Sequence, residues 1–342
     1  MTTGMRMMSK FAYGVDLGWA SQLLELGFSW VDDEGNRTGP IEEAKKNGAN
    51  AVRLRVFVNP PSDAFWMKRK DERVMLGYCD VLRVLEFSKR VSALKMDLML
   101  DFHYSDHFAD PEIQDIPKEW EGLTLNDLEE RVYTHTRQTL LLFKENGITP
   151  KWVQIGNEIN HGIMVPAGGL KENPKGLVRL LNSGYEAVKD VFCDCLVITH
   201  LAEMNKTDEC DAFFDNFFEN GGKTDILGFS YYPYWYGCVD DEKQTYEWLL
   251  RYHRKYGKPV LIAEIGGDDE NEEECFKLLK NTINALKAIP EENGLGIFYW
   301  EPEVNRDILP DRYPLGASRL KGEKTLQYTK ALKAYDTDPV CL

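Results

Sequence analysis

Two glutamates close short apolar runs, and both are of a type that can do acid and base work. Glu158 ends Trp152-Val153-Gln154-Ile155-Gly156-Asn157-Glu158, and Glu264 ends Val260-Leu261-Ile262-Ala263-Glu264. If the two meet, a carboxyl held protonated can hand its proton to a leaving oxygen. The other, kept ionised, can attack carbon or activate water, which is the division of labour in glycosidic bond hydrolysis. Mutual repulsion drives the two pKa values apart and makes that division possible. A single glutamate at a strand end is ordinarily solvated or salt-bridged, so the chemistry depends on the pair coming together.

The elements that would bring them together recur along the chain. Eight segments rich in Val, Ile, Leu, Phe and Tyr occupy residues 11–17, 51–57, 97–103, 152–158, 196–202, 226–232, 259–265 and 296–302. Helical spacing of apolar residues separates them at 41–46, 81–93, 128–145, 176–191, 245–255 and 272–288. Strand and helix alternating in one direction force parallel pairing with right-handed crossovers, and the chain length suits a closed (β/α)8 TIM barrel of the α/β class. No linker-like stretch divides it, so the expected organisation is an N-terminal tail at residues 1–10 and one catalytic barrel at 11–342. An open dinucleotide-binding sheet would need a glycine fingerprint after its first strand, and Gly18-Trp19-Ala20-Ser21 does not supply one.

In a barrel, function belongs at the carboxyl ends of the strands. Those ends are polar here: Asp16; Arg53 and Arg55; Asp101 and His103; Asn157 and Glu158; His200; Ser230, Tyr231 and Tyr232; Glu264; Trp300 and Glu301. Glu158 closes the fourth strand and Glu264 the seventh, which sets them across the barrel mouth from each other.

Composition narrows the partners. The 342 residues carry 41 basic and 56 acidic side chains, a net charge of −15, with 43% hydrophobic residues. That is an ordinary globular composition whose field repels phosphate backbones and anionic lipid surfaces, so neither nucleic acid nor a membrane is an expected partner. No apolar stretch approaches the ~20 residues that span a bilayer. Seven scattered cysteines fit reduced thiols better than a disulfide framework. Without a visible signal peptide the expected location is cytoplasmic, or secreted if a leader has been removed.

The longer motifs carry a resemblance. Val52-Arg53-Leu54-Arg55-Val56-Phe57-Val58-Asn59-Pro60, Asp101-Phe102-His103-Tyr104-Ser105-Asp106 with Ala109-Asp110-Pro111 and Gln114, Val153 to Glu158, Ser230-Tyr231-Tyr232-Pro233 and Phe298-Tyr299-Trp300-Glu301-Pro302 together resemble glycoside hydrolase family 53, the endo-β-1,4-galactanases. With the strand-seven glutamate, the similarity spans nearly the whole chain. It implies a retaining double displacement on β-1,4-galactan, the side chain of pectic type I arabinogalactan; no cofactor or metal is expected, and the expected state is a monomer. An exo-acting galactanase, a barrel glycosidase of mannanase or xylanase type, and a galactan-binding barrel without activity are the alternatives.

Carried over position by position, the resemblance makes Glu158 the acid/base and Glu264 the nucleophile. Asn157 would bond the sugar 2-hydroxyl, a contact that strengthens in the transition state. Arg55, with the Tyr232 hydroxyl as second donor, would keep Glu264 ionised. Arg53 shares its strand face and is the other candidate for that role. Trp300 would offer an apolar face to a galactosyl ring, with Trp235 and Tyr234 as further platforms. Asp16, Asp101, His103, Asp106 and His200 would ring the cleft and bond hydroxyls.

The chain also departs from the family pattern. His107-Phe108-Ala109-Asp110-Pro111 stands where relatives usually have Thr-Trp-Ala-Asp-Pro, and Ile163-Met164-Val165-Pro166 where they have Leu-Leu-Trp-Pro, which removes stacking surface. Val304-Asn305-Arg306 replaces an aromatic-rich run after strand eight. The loop from Gly266 to Glu272 is short and acidic without the alternating ligands of a calcium loop. A hydrolytic metal site built from Asp101, His103, Asp106 and His107 is the rival chemistry, with His200 as a ligand from elsewhere.

Overall fold

The computed structural model describes residues 11–237 and 240–336. The expected N-terminal tail, together with Cys238 and Cys341, lies outside the described residues. Eight parallel strands close into a barrel: β1 (Ala12–Asp16), β2 (Ala51–Val56), β3 (Asp97–Phe102), β4 (Trp152–Ile155), β5 (Leu196–Leu201), β6 (Ile226–Tyr231), β7 (Val260–Ile265) and β8 (Gly294–Tyr299). Each pairs with its sequence neighbour, and β1 closes on β8 through Ala12 opposite Gly296 and Val15 opposite Tyr299. This is the expected (β/α)8 architecture.

The helical periodicity marked real helices, among them Val81–Ala93, Leu125–Glu145, Pro174–Val191, Glu242–Tyr256 and Glu272–Lys287. It missed Thr207–Glu219, where two Phe-Phe doublets blur the stripe; Phe213, Phe214 and Phe217 are buried there. The eightfold alternation also fails at its end. After β8 the chain forms a 3₁₀ turn, Lys330–Tyr335, packed on the helix Glu272–Lys287.

Apolar residues divide into two shells. Ala12, Ala51, Met99, Trp152, Ile198, Ile226, Leu261, Ala263 and Phe298 fill the barrel interior, while the larger set lies between strands and helices. Trp152 and Phe298 meet edge to face at 5.8 Å inside the barrel. Room for them comes from Gly14, where a Cβ would sit 2.1 Å from the Phe298 ring. Alternating small and large interior residues is how an eight-stranded barrel reaches a filled core rather than a pore.

Two further features bear on the site. After β2, Phe65–Arg69 and Glu72–Met75 form an antiparallel hairpin. Along β6 and β7 the register slips: Phe229 faces Ile262, and the next pair is Ser230 with Glu264. Ala263 is therefore an extra residue, a bulge at the rim of the barrel. Leu261 and Ala263 both point inward, so strict alternation would turn Glu264 out toward the helices. The bulge returns it to the interior.

Candidate active site

The floor of the site is a layer of ionic and amide groups above the apolar interior. Arg53 sits at its centre, fully buried, and donates to Asp16 (2.7 Å), Asp101 (2.7 Å), Asn157 Oδ1 (2.9 Å) and Glu264 Oε1 (2.9 Å). Arg53 is the guanidinium that holds Glu264, which corrects the expectation for Arg55. Arg55 instead runs over Gly18, where a Cβ would lie 2.2 Å from its Nη1, to pair with Glu301 and donate to the Leu76 carbonyl at 3.1 Å. The tilt of barrel strands staggers residues of equal height, so sharing a strand face does not mean sharing a partner. The rings of Trp19, Phe108 and Trp300 surround the Arg55 guanidinium at 5.2, 4.7 and 5.8 Å.

Glu264 is engaged at both oxygens, since the Tyr232 hydroxyl donates to Oε2 at 3.0 Å. Burial, with the charge of Asp101, leaves its pKa above the ordinary value, although Arg53 and Tyr232 pull it back toward the ionised form. The Tyr232 phenol is itself pushed up by burial and by the charge of Glu264, so it stays a donor.

Glu158 lies in a different environment. The ladder of β4 ends at Ile155, and the chain turns through Gly156 at φ +79° to place Glu158 in the left-handed region at φ +48°. A non-glycine residue held there stores backbone strain of about 1–3 kcal/mol, which the surrounding contacts must offset. Its Oε1 is 2.6 Å from the Ser230 hydroxyl, and no cation pairs with it among the described residues. Burial and the charge of Glu264 lift its pKa well above the usual carboxylate range. The two glutamates thus have unequal proton affinities, the arrangement an acid and a nucleophile require.

Both glutamates open onto one 830 Å³ cleft, lined also by His103, Asn157, Tyr232, Trp235 and Trp300. Trp300 is in edge contact with Trp19 at 5.1 Å and Tyr313 at 4.8 Å, which fixes its plane. Asn157 is tied by three donors at Oδ1, Arg53, Gln154 and His200, and gives one Nδ2 proton to the Ala109 carbonyl at 2.9 Å. Its second Nδ2 proton remains for a ligand.

Four other expected cleft residues are placed elsewhere. Asp16, Asp101 and His200 are fully buried within the floor and cannot bond a sugar hydroxyl. Burial raises Asp101, but Arg53 and His103 outweigh it and hold it below its ordinary value. Burial and the charge of Glu301 push Asp16 up. Asp106 ties two loops together, accepting from the backbone N–H groups of Asn59 and Lys118, both at 2.9 Å. His103 does line the cleft, yet its nitrogens are spent: the Ala109 N–H donates to Nδ1 and Nε2 donates to Asp101, both at 3.0 Å.

The rival metal set does not converge. His107 faces Asp115 at 3.3 Å rather than Asp101 or Asp106. The acidic loop after β7 closes on a side chain: Arg306 lies 2.6 Å from Asp269 and 3.2 Å from Glu270. Reading the sequence missed Trp66, Tyr313 and the working role of Ser230. Ser230 alone carried a signal, its place among the polar residues at the strand ends.

The family model described as Glycosyl hydrolase family 53 matches residues 12–335. A Niallia circulans sequence named "Uncharacterized protein in bgaB 5'region" is 29% identical, covering 85% of this chain and 83% of that one. The arabinogalactan endo-beta-1,4-galactanase of Cellvibrio japonicus is 29% identical, over 88% of this chain and 82% of its own. The solved Ignisphaera aggregans GH53 catalytic domain superposes with a TM-score of 0.81 at 28% identity and 95% coverage of both chains. With the match running from the first barrel strand to the final 3₁₀ turn, this chain belongs to glycosyl hydrolase family 53.

Proposed function

We propose that the chain is an endo-β-1,4-galactanase that cleaves the neutral galactan side chains of pectic arabinogalactan by double displacement with retention. The observation that carries this is the pair Glu158 and Glu264, open to one cleft yet in unlike electrostatic surroundings. Family membership and the activity named for the Cellvibrio japonicus relative support the substrate.

In the first step an oxygen of Glu264 forms a bond to the anomeric carbon while the bond to the leaving oxygen breaks, and Glu158 transfers its proton to that oxygen. Arg53 and Tyr232 orient the attacking carboxylate. In the second step Glu158, now ionised, takes a proton from water as the water oxygen bonds to the anomeric carbon and Glu264 departs. Asn157 offers its remaining Nδ2 proton to the 2-hydroxyl, and Trp300 offers an apolar face to the ring. The five free cysteines among the described residues, four of them buried, fit a chain working in a reducing compartment.

The test is release of reducing ends from linear β-1,4-galactan. Wild type should generate oligosaccharides of several lengths, and Glu264→Gln should bind galactan with no turnover. Cleavage of mannan or xylan in preference to galactan would overturn the substrate, and an active Glu264→Gln would overturn the nucleophile.

A further inference from the structure

The hairpin after β2 presents one of its faces to the cleft. Its cross-strand pairs are Phe65 with Met75, Trp66 with Val74, Met67 with Arg73 and, past a register shift at Lys68, Arg69 with Glu72. Side chains alternate across a strand, and the alternation is legible here: Trp66, Lys68, Glu72 and Val74 line the cleft. Phe65, Met67 and Arg73 do not; Arg73 instead lies over the Phe65 ring at 3.8 Å, and Met67 is 54% exposed.

The hairpin is held at both ends. At its root the Leu76 N–H donates to the Ala64 carbonyl at 2.8 Å, the Trp19 indole N–H donates to the Met75 carbonyl at 2.6 Å, and Arg55 donates to the Leu76 carbonyl. Farther out, Lys68 meets Asp110 on the opposite loop at 3.4 Å. One face of the Trp66 ring is backed by the His107 imidazole, stacked at 4.0 Å and 5° from parallel. That imidazole is fixed in turn, its Nδ1 lying 3.0 Å from the Phe108 carbonyl and its Nε2 3.3 Å from Asp115. A large ring with one face supported and its carrier strand clamped is pre-ordered, so a ligand stacking on it would lose little entropy in fixing it.

We infer that Trp66 is a pyranose platform, taking a galactosyl residue other than the one being cleaved; this rests on the galactan reading above. A β-galactopyranose carries its O4 axially, which leaves C3–H, C4–H and C5–H together on one side of the ring as an apolar patch. That patch fits an indole face, and the charged ends of Lys68 and Glu72 beside it reach the hydroxyls around the ring edge. In the loop after β3, Phe108 is packed on Arg55 and His107 supports Trp66, so the stacking surface on this side of the cleft comes from the hairpin.

The test is the chain-length dependence of kcat/KM on β-1,4-galacto-oligosaccharides of increasing length, for wild type, Trp66→Ala and Trp66→Phe. Trp66→Ala should lose ~10-fold on oligosaccharides long enough to reach the platform and nothing on the shortest one cleaved, with Trp66→Phe recovering most of the loss. An equal loss at every length, or none, overturns the platform while leaving galactan hydrolysis standing. A wild type that cleaves no galacto-oligosaccharide overturns the galactan reading itself and the ligand assigned to Trp66 with it.

Discussion

The Ser230 hydroxyl lies between His200 and Glu158, 2.9 Å from Nε2 of the first and 2.6 Å from Oε1 of the second. Burial and the charge of Arg53 hold His200 neutral, well below the usual histidine range. Its Nδ1 lies 3.0 Å from Asn157 Oδ1, which only accepts, and 3.4 Å from the Glu158 backbone N–H, which only donates; the shorter contact sets the ring proton on Nδ1 and leaves Nε2 to accept. With Glu158 protonated, one chain of donors is then complete: Glu158 to Ser230, Ser230 to His200, His200 to Asn157. When Glu158 gives up its proton, the Ser230 hydroxyl can turn and donate to the new carboxylate.

That turn makes Ser230 a stabiliser of the ionised acid. Ser230→Ala should lift the Glu158 pKa further, because the hydrogen bond it removes pulls that pKa down. The alkaline limb of kcat/KM, set by loss of the Glu158 proton, should move to higher pH with a rate loss of about tenfold or less. A pH–rate profile whose alkaline limb stays in place would show that the serine only packs.

The two arginines of β2 should separate cleanly. Arg53→Met removes the cation that pulls Glu264 down, so the acid limb of the profile should move to higher pH as Glu264 holds its proton longer. It also strands Asp16 and Asp101, at a cost of about 3–5 kcal/mol. Arg55→Met should destabilise through Glu301 and the hairpin root while leaving the acid limb in place. Urea titration together with pH–rate profiles of both variants distinguishes the two roles.

Glu158 is in addition a stability determinant with a defined sign. Its folded pKa is raised, whereas in the unfolded chain it titrates near ~4.3. The preference for the neutral form favours the fold fully below that unfolded value and is lost as pH rises toward the folded one. Glu158→Gln should match wild type in Tm near pH 4 and exceed it by ~2 °C at pH 8, as measured by calorimetry. A gain at the acid end alone would reverse the assignment.

Retention can be read from an azide trap. Glu158→Ala should lose about 10²–10⁴-fold on galactan, yet turn over an aryl galactoside with a good leaving group. Azide entering the space left by the carboxylate then attacks the intermediate on Glu264 and yields the β-galactosyl azide. Formation of the α-azide from this variant, by NMR, would mean that Glu264 is not the nucleophile.

The barrel, the glutamate pair and the companions Asn157, Tyr232 and Trp300 were legible in the sequence, because hydrophobic period and strand-end chemistry are local properties. What the sequence could not order was height and direction within the barrel. Arg53 and Arg55 share a face, yet strand stagger and the space at Gly18 send one to Glu264 and the other to Glu301. Asp16, Asp101 and His200 look like cleft residues on alternation alone, but they sit one layer too deep to meet a ligand. The bulge at Ala263, which returns Glu264 to the interior, depends on how two separate strands register. Trp66 becomes a wall of the cleft only because a hairpin folds across space onto His107. Composition and period are written along the chain, whereas depth, stagger and support arise when distant segments compete for the same volume.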